Sequence, residues 1–210
     1  HKSPPILSTL FDIWVMKTTA ERIVNDQNIK IVHCRSYISM LVGVFLKKKY
    51  AIKLLFDMRG FWANERVDGK LWNLNNPIHK RVYTYFKAKE IIFVNQADHI
   101  VSLTHAGKEE ITSGRLFKSE NIKVDTQKIS IIPCATDFCL FNPDHVSVES
   151  QVYWRDKLKI AETDKILIYL GSLGTWYMVD EMLQFYIHFR RRYSNFKFLF
   201  VTKDDTQNLL

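Results

Sequence analysis

Helix-like and strand-like runs alternate along the whole of this 210-residue chain. Apolar residues recur at helical spacing in 6–27, 36–50, 76–97, 105–117, 150–160 and 178–193. Short apolar runs lie between them at 29–34, 51–57, 99–104, 128–133, 165–174 and 196–205. A strand followed by a helix and then by another strand needs a crossover connection, and repeated crossovers give parallel sheets. The chain is therefore predicted to be α/β. The run at 51–57 is apolar throughout its middle, which predicts a strand covered on both faces. Residues 141–150, "FNPDHVSVES", are polar and aperiodic, and they read as a connection between two domains, 1–143 and 144–210.

The length suits one large domain or two modest ones, each with its own core. A hydrophobic content of 47% and a charged content of 25% exclude a disordered chain. The net charge of +8 is dispersed, with short clusters at Lys47–Lys49 and Arg190–Arg192. That balance fits a polyanionic substrate, an anionic membrane surface or nucleic acid, and equally a basic solvated surface. Cys34, Cys134 and Cys139 form neither a C-x-x-C pair nor a disulfide framework, which predicts reduced thiols in a cytosolic protein. The seven histidines are scattered, without the spacing of a zinc site, so no metal is expected. No apolar run has the length of a membrane span, and residue 1 onward does not read as a signal peptide. The chain starts at His1 and stops after the strand-like "FKFLFV", so it is expected to be a fragment of a longer protein.

In parallel α/β sheets, ligands bind beyond the carboxyl ends of the strands. That rule selects Arg35 and Ser36, Asp57 and Arg59, Thr104 and His105, Asp137, Gly171, Ser172 and Gly174, and Thr202 with Lys203. The richest exit is "FDMRGFWANERVDGKLWN", residues 56–73, where Asp57, Arg59 and Glu65 stand among large aromatics. For Arg59 and Glu65, a salt-bridged loop and a ligand wall are both open. A carboxylate directly after a buried strand is costly unless paired or used, which singles out Asp57. Trp62, Trp72 and Trp176 suit either the core or a stacking platform for a sugar or a base. His33 reads as a core histidine, and His105 as the cap of the helix that follows it. "LIYLGSLGTW", 167–176, is a strand running into a glycine turn and a helix, which suits either a plain junction or a phosphate held on backbone amides. Neither G-x-G-x-x-G nor G-x-x-x-x-G-K-[ST] is present, which argues against a dinucleotide oxidoreductase and a P-loop phosphotransferase.

The order "IVHCRSYISMLVG", "LLFDMRGFW", "ADHIVSLTHAGKEEI", "ISIIPCATDFCLFNP" and "ILIYLGSLGTWYMVDEML" resembles the retaining GT-B glycosyltransferases of family 4. The most specific piece is "IIPCATDFCLF", where Pro133, Asp137 and Phe141 match the family's interdomain motif and Cys134 and Ala135 depart from it. The resemblance implies two Rossmann-like domains, an incomplete acceptor-side domain at 1–143 and the start of a donor-side domain at 144–210. It implies transfer of a sugar from a nucleotide-sugar donor to a saccharide or lipid-linked acceptor, as in bacterial polysaccharide synthesis. It further implies no cofactor, no nucleic acid, and a cytoplasmic protein with peripheral contact to an anionic membrane. The family often has a histidine where this chain has Asp57, the expected catalytic residue. Gly171, Ser172, Leu173, Gly174, Thr202 and Lys203 fall at the donor-phosphate position, with Ser172 replacing the family's arginine. Arg35, Ser36, Arg59, Trp62, Glu65, Thr104, His105 and Asp137 fall on the acceptor side or the cleft. The 210 residues alone are expected to be inactive. A sugar-nucleotide epimerase on the same architecture is the alternative. A basic nucleic-acid module ranks last, because no basic helix face carries interleaved aromatics.

Overall fold

The computed structural model describes residues 5–115, 124–174 and 177–206. They form two compact units, His1–Cys134 and Ala135–Leu210. The first contains α1 (Pro5–Asp26), β1 (Ile31–Arg35), α2 (Ser36–Lys49), β2 (Lys53–Asp57), α3 (Trp62–Asp68), α4 (Pro77–Gln96), β3 (His99–Ser102), α5 (His105–Thr112) and β4 (Ile129–Ile131). The second contains α6 (Val148–Lys157), β5 (Lys165–Leu170), α7 (Val179–Arg192) and β6 (Phe196–Val201).

Among the described residues all strand pairings are parallel, with order β1-β2-β3-β4 in the first unit and β5-β6 in the second. The α/β prediction holds, and three of the helices, α4, α5 and α6, start at a residue whose side chain caps them. Asn76 accepts from the amides of Ile78 and His79, with Pro77 at the first helical position of α4. Ser147 caps α6 through the amide of Ser150, 3.2 Å away. Lys47, Lys48 and Lys49 close α2, where positive charge suits the helix dipole.

The first unit's core lies between the sheet and α2 and α4. Tyr37 of α2 and Phe93 of α4 both meet Phe56 of β2 edge to face, at 6.0 and 5.9 Å between ring centres. Gly43 lets α2 sit tightly against β1, since a Cβ there would overlap the sulfur of Cys34. The expectation that β2 is covered on both faces is corrected. Leu54 and Phe56 are buried, but Lys53 is exposed and Leu55 and Asp57 are half-buried. The reason is that α2 and α4 both pack on the face that carries Phe56.

A buried polar network ties these two helices together. Glu90 of α4 is fully buried, accepts from the Tyr37 hydroxyl and pairs with Lys87. Burial, and then the neighbouring Glu90 carboxylate, raise the Tyr37 pKa above its ordinary value. Asp98 anchors the start of β3 to β2 through Lys47 at 2.6 Å and the Leu54 amide at 2.8 Å. Cys34 is buried and its thiol is pushed up to about 11 by desolvation, whereas Cys134 and Cys139 are exposed.

Candidate functional site: a cavity at the carboxyl edge of the first sheet

Six described non-glycine residues have positive φ. Asn28, Lys70 and Lys159 lie just past the ends of α1, α3 and α6, where left-handed residues commonly end helices. Ser36, Arg59 and Met178 instead lie where a strand gives way to the next helix, Ser36 as the first residue of α2. Strained backbone at such exits costs about 1–3 kcal/mol per residue and concentrates at functional sites. Two of the three, Ser36 (φ 67°) and Arg59 (φ 60°), follow the adjacent strands β1 and β2.

At the β2 exit, the Met58 amide donates to Val101 O at 3.1 Å, extending the sheet by one residue. The Gly60 amide then donates to Met58 O at 2.6 Å, closing a three-residue turn around Arg59. The chain enters α3 immediately, a helix too short to show in the sequence pattern. At the β3 exit, the Ser102 hydroxyl donates to Thr104 O, and the Thr104 hydroxyl accepts from the Gly107 amide at 3.0 Å. Thr104, and not His105, caps α5. A hydroxyl one residue before the helix reaches the amide three residues on.

These two exits enclose a cavity of about 540 Å³. The β2 side contributes Arg59, Gly60, Asn64, Glu65 and Asp68, and the β3 side contributes Ser102, Thr104, Gly107 and Glu110. Its volume falls within the usual range of small-molecule sites. The Glu65 carboxyl folds over Gly60 so closely that any Cβ at position 60 would overlap it. Partial desolvation raises the Glu65 pKa, the charge of Arg66 opposes the shift, and that of Asp68 adds to it.

Of the residues selected by sequence, Arg59, Glu65 and Thr104 meet in this cavity. Asp57 ends β2 next to the cavity wall without lining it, and its carboxylate lies 3.6 Å from Nε2 of His33. His33 is not a core histidine; its side chain is 55% exposed on edge strand β1. Arg35 is exposed at the end of β1, in register with Asp57, and its carbonyl accepts from the Ser39 hydroxyl at 2.5 Å. Trp62 packs against Phe86, Trp72 and Tyr37 at 4.8, 5.3 and 5.8 Å, with the Arg66 guanidinium 5.0 Å from its ring centre. It is part of the aromatic cluster and does not line the cavity. His105 is exposed at the first turn of α5.

The remaining selected residues lie in the second unit. The Asp137 carboxylate accepts from the Cys139 amide at 2.8 Å and so organises its own turn. Gly171 has φ 156° and donates its amide to Val201 O. The Ser172 carbonyl accepts from the Tyr169 hydroxyl at 2.7 Å. The Leu173 amide donates to the Asp204 carboxylate at 2.5 Å, so a side-chain anion already sits on one amide of this turn. Gly174 faces open space. The Thr202 hydroxyl accepts from the Asp204 amide at 3.1 Å, and Lys203 is exposed. Trp176 lies outside the described residues.

Sequence reasoning missed Asn64, Asp68, Ser102, Gly107 and Glu110 as cavity residues. The signal was available in part. Once 62–68 is a helix, Asp68 lies beside both Asn64 (i, i+4) and Glu65 (i, i+3).

A parallel α/β chain with an open pocket at the carboxyl ends of its strands belongs to the broad class of Rossmann-like folds. The fold is shared with a crystal structure described as a glycosyltransferase from Rickettsia africae ESF-5, with a TM-score of 0.52 over 100% of this chain and 16% sequence identity. This chain spans 55% of the length of that one. No protein-family profile matches the sequence, and no curated protein matches it. Among the described residues, no helix is long and apolar enough to cross a membrane.

Proposed function

We propose that this chain is part of a retaining glycosyltransferase, with the carboxyl-edge cavity receiving the acceptor. The observation that carries the reading is the 540 Å³ cavity with its strained Arg59 exit, in a fold shared with a glycosyltransferase. The pocket built from two adjacent strand exits sets polar groups beside the apolar Met58, Phe61, Leu103, Ala106 and Ile111, a mixture that suits the hydroxyls and the apolar ring face of a sugar. Arg59 donates, the carboxylates of Glu65 and Asp68 accept, and Thr104 does both.

In the proposed reaction, the bond between the donor sugar's anomeric carbon and the nucleoside diphosphate breaks. The anomeric carbon bonds to an acceptor hydroxyl oxygen, whose proton passes to the departing diphosphate. Developing charge on that leaving group needs fixed donors. The turn at Gly171, Ser172, Leu173 and Gly174, with Thr202 and Lys203, is the proposed donor-phosphate region. Phosphate would then compete with Asp204 for the Leu173 amide. Asp57 is the proposed catalytic carboxylate, with Nε2 of His33 3.6 Å away. The basic balance of +8 supports an anionic donor and peripheral contact with an anionic membrane that carries a lipid-linked acceptor.

The test is transfer of labelled sugar from a panel of sugar nucleotides by the natural gene product that contains these 210 residues. Acceptor-dependent nucleoside diphosphate release, lowered at least about a hundredfold by Asp57→Ala, is the expected result. Release that never depends on an acceptor would point to the epimerase alternative.

A further inference from the structure

We propose that the cavity takes an uncharged glycosyl unit and turns away sugars that carry phosphate or carboxylate. This rests on reading the cavity as the acceptor pocket. The chain as a whole is basic, with 30 lysines and arginines against 22 acidic residues. The cavity wall reverses that balance. Glu65, Asp68 and Glu110 line it, and Arg59 is the cation among the lining residues.

Neither neighbouring arginine lines the cavity, although the charge of Arg66 acts on Glu65. The Arg66 guanidinium lies over the Trp62 ring, 5.0 Å from its centre. Arg115 bonds Glu110 at 3.1 Å and Glu109 at 3.2 Å, and it does not line the cavity. Glu110 is thus partly neutralised, and Glu65 and Asp68 on α3 carry the negative character of the wall.

The hydrogen-bonding inventory points the same way. Ionised carboxylates only accept. A sugar hydroxyl can donate to Glu65 or Asp68 and still accept from Arg59 or the Asn64 amide. A phosphate or carboxylate group brings acceptors only, so it would set acceptor against acceptor and charge against like charge. The Glu65 carboxyl already lies close over Gly60 and partly desolvated. A second anion beside it would meet like charge in a partly desolvated setting. An anionic portion of a larger acceptor is therefore placed outside the cavity, with the uncharged sugar end inside.

The experiment is an NMR titration of the full 210-residue chain at constant ionic strength, read at the amides of Gly107 and Ile111. The probes are methyl hexosides, the matching hexose 6-phosphates and the matching uronates. The expected result is methyl hexosides binding at least about tenfold more tightly than the phosphates, since like-charge juxtaposition is strongly unfavourable. The double substitution Glu65→Gln with Asp68→Asn, isosteric at two exposed positions, should shrink that ratio to within about threefold. Phosphates that bind as well as the hexosides, or a ratio the double variant leaves unchanged, would overturn the charge inference while leaving the acceptor reading standing. No shift with any probe would remove the acceptor reading itself, and the inference with it.

Discussion

The two units share a construction rule and differ in what it achieves. In the second unit, β5 and β6 pair in register over six positions, from Lys165 with Phe196 to Leu170 with Val201. That is the longest ladder in the described chain, yet no described residue from Ala135 onward is fully buried. Leu170 is 75% exposed and Ile168 58%. In the first unit, β3 pairs with each neighbour over only three positions, yet Ile100 is fully buried at its centre. Backbone pairing and core formation are separate achievements. A parallel sheet becomes a core when helices cover it, and two strands with a single crossover helix supply little cover.

The largest expected consequence is in amide hydrogen exchange. Amides of Leu54, Phe56 and Ile100 should exchange at least about a thousandfold more slowly than those of Leu167 and Ile168, because opening free energy follows buried contacts. Equal protection in β2 and β5 would break the comparison.

A pair of glycine substitutions sharpens it. Gly43→Ala should destabilise the first unit by about 1–3 kcal/mol, despite alanine's better helix propensity, because the added methyl meets Cys34 and Leu54 in a packed interface. Gly174→Ala, with open space around the new methyl, should change stability by less than about 0.5 kcal/mol. Urea melts followed by far-UV circular dichroism would measure both.

The smallest effect concerns acid. Desolvation works to raise the Asp98 pKa, but hydrogen bonds from Lys47, the Leu54 amide and Lys53 outweigh it and hold the carboxyl at about 2, below its ordinary 3.8. A depressed folded-state pKa gives stability that is complete above the unfolded value and is lost as pH falls through the folded one. The first unit should therefore lose stability between about pH 4 and pH 2, and Asp98→Asn should flatten that stretch of the curve. In the second unit, Asp164 is also lowered, first by its hydrogen bond from Lys197. Asp164 has one lysine partner where Asp98 has two, so Asp164→Asn should alter the acid profile less. Thermal melts across pH would separate the two.

Much of the fold was legible. Apolar period and cap chemistry place six strands and most helices, as "NNPIHK" places the start of α4. α3 was not legible, because Trp62–Asp68 spans only seven residues and shows too little periodicity to read. The candidate site was legible as a set of strand exits and not as a pocket. Arg59, Glu65 and Thr104 stand in one wall, while Trp62, from the same segment as Arg59 and Glu65, turns into the aromatic cluster. Nothing local distinguishes these outcomes.

The sequence by itself determined the alternation of strands and helices, the parallel pairing that follows from it, and the rule that polar groups at strand exits are the ones to examine. These depend on residue type and spacing within a few positions. Tertiary structure alone decided that β2 is fully buried on one face and only half-covered on the other. It also decided that His33 stands half-exposed beside Asp57, that Asp204 occupies the Leu173 amide, and that Glu110 and Asp68 face one cavity from different helices. Each depends on which distant segments come within a few ångströms of one another, and side-chain chemistry does not encode that distance until the core has packed.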